Sequence, residues 1–237
     1  MKVEEKLPVP VKSFYSIVVK RVLDVLLSAG ALLVLSPLLL VVSVLEVVYH
    51  GFPILYATER PGKDGKIIKI YKFRSMTNER DENGFLLADD QRVTKFGKLI
   101  RKLSIDELPE LWSILKGDMS IIGPRPLLIE YLDLYSHRHA MRHSVRPGLA
   151  CVRINKNDTS TTWTWREQFE NDIYYIEHIS FITDVKMIIA VLKETIRGAE
   201  YRVNGTRVPF LGDNLDDTRS SNELEEKPIF QSLEKVK

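Results

Sequence analysis

From Val25 to Leu45 the chain reads VLLSAGALLVLSPLLLVVSVL, 21 residues without a charge, bounded by Lys20, Arg21 and Asp24 before it and Glu46 after it. A run of that length and polarity is enough to cross a bilayer as a helix. A cleaved signal peptide has a shorter apolar region ending at a small-x-small site. This run continues into EVVYHGF, so it is expected to stay on the mature protein. Pro37 stands near its middle, after Ser36. A proline there removes one backbone hydrogen bond and clashes with the carbonyl four residues earlier. Two forms satisfy the pattern. One is a straight-through helix whose freed carbonyl is taken up by the serine; the other is a re-entrant helix-break-helix that enters and leaves by one face. Either form puts Lys20 and Arg21 on the cytoplasmic side.

Before this segment lies a polar lead-in with two prolines, residues 1–15. After it, ILYATERPGKDGKIIKIYKFRSM predicts two extended runs around the turn PGKDG, a β-hairpin. TNERDENGFLLADDQR reads as a polar loop. In RVTKFGKLIRKL the bases Arg92, Lys95, Lys98, Arg101 and Lys102 fall roughly on one helical face, with Phe96, Leu99, Ile100 and Leu103 on another. Such a face is either simply solvated or rests on anionic head groups, and the apolar segment upstream favours the latter. DELPELWSIL predicts a short helix, KGDMSIIGPRP a loop, and LIEYLDLYSHRHAMRHS a further helix. A less regular stretch follows VRPG, then a helix near REQFENDIYYIEHI. TDVKMIIAVLKETIRG is amphipathic, with Val185, Ile188, Ile189, Leu192 and Ile196 in phase and Gly198 as its stop. From Ala199 the chain turns polar and reads as a tail. There is no internal repeat.

Charge sharpens this picture. The 237 residues carry a net +2, but from Leu211 onward seven acids face four bases, so the body before it is +5. A mildly basic body suits phosphates or a membrane surface, and the excess is too small for a dedicated nucleic-acid binder. One cysteine, Cys151, excludes an internal disulfide framework and fits a reducing compartment.

The candidate chemistry begins at LSIDELPELW. Ser104 and Glu107 have capping-box spacing, Asp106 could itself be a cap, and Pro109 suits a first helical turn. On that reading both acids only satisfy free N–H groups and the helix dipole. The same geometry suits a nucleophile: a carboxylate at the positive end of a helix, near cations, stays ionised, and aspartates do form acyl phosphates. Glu107 could then hold Mg²⁺, a hard cation that bridges phosphates. Phosphate-binding candidates are Lys72 and Arg74, two apart on a predicted strand; Arg125, stiffened between Pro124 and Pro126; Arg101, five residues before Asp106; and Arg146, before a Pro147-Gly148 turn. His137, His139 and His143 lack a zinc-binding pattern and read as surface or interface groups. Neither GxGxxG, the phosphate-loop pattern nor GxSxG occurs.

SP within the apolar segment, then KFRSM, R(x)4DELPELW, LKGDMSIIGPRP and VRPG, in this order, resemble the bacterial sugar transferases known as monotopic phosphoglycosyl transferases, from about Val18 to Gly198. The resemblance implies a mostly helical α+β protein. Its parts are a lead-in over 1–15, a re-entrant membrane helix over 16–56 broken at Ser36 and Pro37, a cytosolic catalytic domain over 57–198 with a β-hairpin and amphipathic interfacial helices, and a polar tail over 199–237. It implies transfer of a phospho-sugar from a UDP-sugar to undecaprenyl phosphate at the bacterial inner membrane, with release of UMP. This step starts exopolysaccharide, capsule, O-antigen or glycoprotein glycans. Asp106 would be the nucleophile, Asp106 and Glu107 would hold Mg²⁺, and Lys72, Arg74, Arg101, Arg125 and Arg146 would bind phosphate or substrate. The bilayer is the implied partner surface. A second copy of the chain, or downstream glycosyltransferases, are the protein partners it allows. After RPG the family usually reads close to AQVNGRN, where this chain has ACVRINKND, with Cys151, Arg153, Ile154 and Lys156 changed. A catalytically silent scaffold of a glycan-assembly complex is the alternative this divergence leaves. Asp172 with Tyr175, and Ser180 with Asp184, read as structural.

Overall fold

A computed structural model describes residues 7–151, 164–196 and 208–216. A π-helical turn, Tyr15–Val19, leads directly into helix α1, Lys20–His50. At ~1.5 Å per residue this helical run is about 54 Å long, well beyond the ~30 Å of bilayer hydrocarbon. It is also apolar enough to cross a membrane. Where the resemblance implies a break at Ser36 and Pro37, the helix is continuous. The Leu33 carbonyl, which Pro37 deprives of its usual donor, accepts from the Ser36 hydroxyl at 2.7 Å, and this replaces the missing bond.

Both ends of this helical run dock on the same body. Near its start, Arg21 donates to the carbonyls of Ile114 and Leu115 at 2.6 and 2.8 Å, and Asp24 accepts from the Ile121 N–H at 3.0 Å. Lys20 and the Tyr15 hydroxyl both reach Asp184 Oδ2 at 2.7 Å. Near its end, Val42 packs with Phe73 and Ile100, and His50 bonds both Glu46 (2.9 Å) and Thr94 (3.0 Å). Between them Ala31, Leu32 and Leu35 rest on Ile70, Leu111, Ile114 and Met119. The remaining face, including Leu26, Leu33, Val34, Leu40, Val44 and Val48, is exposed.

The expected hairpin forms from β1, Leu55–Pro61, and β2, Ile67–Phe73, antiparallel with Tyr56 opposite Lys72. A short helix α2, Asp89–Arg92, precedes α3, Lys95–Lys102, which Thr94 caps by accepting from the Gly97 N–H. A Cβ on Gly97 would lie 1.9 Å from the Ser75 carbonyl, so only glycine lets α3 approach the chain leaving β2 this closely. The bases Lys95, Lys98, Arg101 and Lys102 are exposed, but so are Leu99 and Leu103, which makes this surface mixed rather than purely basic. Helix α4, Glu110–Lys116, ends at Gly117 with φ 100°, a left-handed stop that glycine adopts without penalty.

Several elements differ from expectation. Part of KGDMSIIGPRP is a strand, β3 (Ser120–Ile122), paired parallel with β4 (Gly148–Ala150). The helix expected over LIEYLDLYSHRHAMRHS is broken into a 3-10 turn (Ile129–Leu134), α5 (His137–Ala140) and another 3-10 turn (Met141–Ser144). The break falls where Ser136 takes extended backbone and caps the His139 N–H with its hydroxyl, restarting the helix. His139, read as a surface or interface group, is buried inside the domain beside Phe169 with Nε2 3.3 Å from Glu170. Helix α6, Trp165–Glu177, starts with a Thr164–Glu167 capping box, and α7, Phe181–Ile196, completes the domain. Gly198, expected to end α7, lies outside the described residues. Ile122, Ile173, Tyr175, Ile176 and Met187 form the core between β3, α6 and α7. Asp184 serves as its polar tie, accepting from Tyr175 at 2.8 Å as well as from Tyr15 and Lys20.

Residues 208–216, part of the expected tail, pack on the domain. Val208 and Phe210 are buried, and Phe210 joins Tyr131, Trp165 and Phe169 in an aromatic cluster. Trp165 Nε1 donates to the Val208 carbonyl at 2.9 Å. Replacing Trp165 by Phe keeps most of the apolar contact but strands that carbonyl, an expected loss of about 1–2 kcal/mol in a denaturant melt. An unchanged melt would mean the segment is not held there.

Candidate functional site

The sequence around Asp106 folds as a turn, not as the start of a long helix. Leaving α3, Ser104 adopts left-handed backbone (φ 56°), which swings the chain into a 3-10 turn at Ile105–Glu107 before α4 begins. A non-glycine residue in that conformation carries backbone strain of order 1 kcal/mol, a cost found often at functional sites. The expected capping box is not made. The Ser104 side chain does not cap this turn, and the Glu107 carboxylate points to cations instead.

Those cations arrive from three directions. Lys72 comes from β2, with Nζ 2.9 Å from Glu107 Oε1 and 3.0 Å from Glu110 Oε1. Arg125 comes from the Pro124–Pro126 loop after β3 and also pairs with Glu107 Oε1. Arg101 comes from α3, where its Nε donates to Ser75 Oγ at 2.7 Å, and its charge is felt at Asp106. Glu110 is a site residue that the sequence reading passed over. Its only sequence signal is lying three residues after Glu107, on the same helical face. Arg74 and Arg146 do other work here: Arg74 donates to the His50 and Pro53 carbonyls at 3.0 and 3.3 Å, and Arg146 Nε to the Gly117 carbonyl at 2.8 Å. The first ties the end of α1 to the hairpin and the second ties the end of α4 to the β4 approach.

The two adjacent acids are driven apart in acidity. Burial and the neighbouring charge of Glu107 raise the Asp106 pKa, against the weaker pull of Lys72 and Arg101. Burial also works against ionised Glu107, but Arg125 and Lys72 together outweigh it and hold its pKa at about 2. Glu110 is raised by burial, the Lys72 attraction notwithstanding. The site thus pairs one desolvated, more basic carboxylate with one locked in the anionic form, the divergence that marks distinct roles in catalysis.

Glu107's folded pKa lies below its unfolded value of ~4.3, so its ion pairs stabilise the fold above that value and lose their effect as pH falls towards 2. Lys72→Met is expected to lower stability by roughly 2 kcal/mol at pH 7. The deficit should shrink as the pH drops through the carboxylate range. Thermal melts from pH 7 down to 3 check this, and a deficit independent of pH would contradict it.

Arg142 braces the loop that carries Arg125. It is buried, its Nε and Nη2 lie 2.9 and 2.7 Å from Asp172 Oδ2, and Nη2 also donates to the Arg125 carbonyl at 2.7 Å. Asp172 and Tyr175 thus play the structural part expected of them.

The bacterial sugar transferase family matches residues 15–198. The chain belongs to the bacterial sugar transferases. Among its relatives is an uncharacterized sugar transferase, EpsL, of Bacillus subtilis, 41% identical over 180 residues, which covers 76% of this chain and 88% of that protein. A UDP-N-acetylgalactosamine-undecaprenyl-phosphate N-acetylgalactosaminephosphotransferase of Aeromonas hydrophila is 36% identical over 198 residues, covering 81% of this chain and 46% of its own length. A UDP-glucose:undecaprenyl-phosphate glucose-1-phosphate transferase of Klebsiella pneumoniae is 35% identical, covering 78% and 42%. The transferase therefore spans less than half of the latter two relatives.

Mg²⁺, which the resemblance implies, fits the donor chemistry. Lys72 and Arg125 engage Glu107 Oε1, which leaves Oε2 and the Asp106 carboxylate as hard oxygen donors. Among the described residues no three His, Cys, Asp or Glu side chains form a closed metal cage. The fit is therefore to an open carboxylate pair that would share the ion with substrate phosphates and water. Of the divergent ACVRINKND stretch only Ala150 and Cys151 are described; Arg153, Ile154 and Lys156 lie outside the described residues.

Proposed function

We propose that the transferase moves a sugar phosphate from a UDP-sugar to undecaprenyl phosphate, through a covalent phospho-sugar held on Asp106. The observation that carries this reading is the pair Asp106 and Glu107, opposite in acidity and ringed by Lys72, Arg101 and Arg125. Relatives named for this reaction with N-acetylgalactosamine and glucose donors support the substrate class.

Asp106 Oδ attacks the β-phosphorus of the donor. The bond between that phosphorus and the bridging oxygen breaks, and UMP leaves with the electron pair. A phosphate oxygen of the lipid then attacks the aspartyl phosphate, which releases Asp106 and forms the lipid diphosphate sugar. Arg125 and Lys72 can turn from Glu107 to the phosphoryl oxygens as charge gathers there, while Glu107, anionic throughout, keeps them aimed. Asp106 and Glu107 would hold Mg²⁺, which would supply charge neutralisation at the reacting phosphate.

The acceptor is a membrane lipid, which gives α1 its role. We place α1 as an unbroken helix that dips its exposed apolar side into the cytoplasmic face of the inner membrane, because Arg21 and Asp24 near one end and His50 at the other all bind the one domain. A helix crossing the bilayer would carry one of those ends to the far side. With Lys12→Cys and Lys63→Cys on a Cys151→Ala background, both thiols are expected to react only from the cytoplasmic side; labelling from opposite sides would exclude the dip.

The reaction is tested by offering the purified protein a panel of UDP-sugars with undecaprenyl phosphate and Mg²⁺ and measuring UMP. Release with one donor supports transfer and names the sugar. A folded preparation that releases UMP from none would leave a silent scaffold as the better reading.

A further inference from the structure

Glu110 is the first residue of α4, and it is only 4% exposed. An acid in a first helical turn has an ordinary explanation, which is to complement the helix dipole from solvent and cap a free N–H. Neither part fits here. The side chain is out of solvent, and α4 starts at Pro109 without a side-chain cap. Burial raises the pKa of Glu110, so holding it ionised is a cost to the fold at neutral pH. Its ion-pair partner is Lys72, with Nζ 3.0 Å from Glu110 Oε1. A buried pair of this kind is weak support for stability, so the fold alone does not account for it.

Lys72 Nζ also lies 2.9 Å from Glu107 Oε1, so one ammonium bridges two carboxylates. The two anchors differ in what carries them. Glu107 stands on the 3-10 turn Ile105–Glu107 and shares its Oε1 with Arg125. Glu110 stands on a helix fastened to the strand that carries Lys72, because Leu111 and Ile114 pack on Ile70 of β2. Strand and helix therefore fix the spacing of Lys72 and Glu110 more firmly than a turn could. An ammonium has three N–H donors. The two carboxylates take two, which leaves the third for a phosphoryl oxygen.

We propose that Glu110 is a positioning residue that anchors the Lys72 ammonium in the site, so that Lys72 meets the transferring phosphoryl group already aimed. The inference rests on the transfer reading above and adds the residue that keeps hold of Lys72 once it turns from Glu107. Glu110 acts through Lys72 and touches neither the sugar nor the nucleotide. Lys72 matters most in the transition state, where charge gathers on the phosphoryl oxygens. Loss of its anchor therefore falls on kcat rather than on KM.

The test is steady-state UMP release by the full-length protein at varied UDP-sugar, with undecaprenyl phosphate and Mg²⁺ present. It compares wild type, Glu110→Gln, Lys72→Met and the double variant. Glutamine keeps the shape and removes the charge, so Glu110→Gln is expected to melt no lower than wild type. Its kcat is expected to fall roughly tenfold with no rise in donor KM. A purely structural role would lower the melt or leave both constants alone, and a contact with the donor would raise KM. In the Lys72→Met background the same change is expected to cost less than about twofold, since its effect runs through the ammonium. A kcat close to that of wild type, a raised donor KM, a kcat lost only with a lowered melt, or an undiminished loss in the Lys72→Met background would each overturn the proposal. The split between kcat and KM needs the single variant alone, so a Lys72→Met protein too slow to assay does not spare it. A wild type that releases no UMP from any donor sinks the transfer reading and this inference with it. An active wild type matched by Glu110→Gln sinks the inference alone.

Discussion

Asp106→Asn is expected to abolish sugar-phosphate transfer, lowering UMP release by roughly 10³-fold or more, while leaving the protein at least as stable as wild type. The two halves of that result come from the same physics. Burial and Glu107 make an ionised Asp106 costly, so its folded pKa lies above its unfolded one. Its favourable contribution is therefore complete below the unfolded pKa and is lost as pH rises through the folded value, leaving a penalty at neutrality. Asparagine, neutral and nearly the same shape, removes the penalty together with the nucleophile. A side chain that the fold would be better off without is placed there for something other than the fold. If the variant instead unfolds, Asp106 is a structural cap; if it turns over normally, the nucleophile lies elsewhere.

Arg142→Met is expected to cost about 3–5 kcal/mol of stability, because it leaves the Asp172 carboxylate in the interior without its guanidinium. Their side chains are only 1% and 2% exposed, so water cannot take the guanidinium's place. Arg142 also grips the Arg125 carbonyl, so enzyme that remains folded should show a raised KM for the donor with a smaller change in kcat. The double variant Arg142→Met with Asp172→Leu is expected to recover most of the lost stability, since a matched apolar pair replaces a buried ion pair with little penalty. Thermal melts of the three proteins decide this. A single variant within 1 kcal/mol of wild type would mean the pair does not hold this loop.

The elements that repeat a local pattern were legible in the sequence. The uncharged stretch of α1, the two extended runs around PGKDG and the in-phase apolar residues of α7 each carry their own periodicity. Elements that depend on a distant partner were not. Strand β3 is three residues long and pairs with β4 more than twenty residues later, through a contact between Gly123 and Gly148 too close for a side chain. No alternation marks it. Val208 and Phe210 sit in a polar stretch, and contacts with Trp165, Tyr131 and Phe169 reveal them as core. The site divides in the same way. Asp106, Glu107, Lys72, Arg101 and Arg125 were found as motif residues, and the structure gathers them. Arg74 and Arg146 carried the same charge in the sequence, and the structure shows each donating to backbone carbonyls, a contact that no spacing rule foretells. Glu110 was hidden because a glutamate near a helix start has an ordinary capping explanation, and its burial against Lys72 appears only in three dimensions.

The central claim is that Asp106 itself carries the phospho-sugar. Intact-protein mass spectrometry after incubation with the accepted UDP-sugar and Mg²⁺, without lipid acceptor, tests it most directly. The account predicts an adduct of one sugar phosphate, mapped to Asp106, formed with release of up to one equivalent of UMP, absent from Asp106→Asn and discharged when undecaprenyl phosphate is added. An active enzyme that forms no adduct, and releases UMP only when the lipid is present, would contradict it and place the lipid phosphate as the direct attacking group.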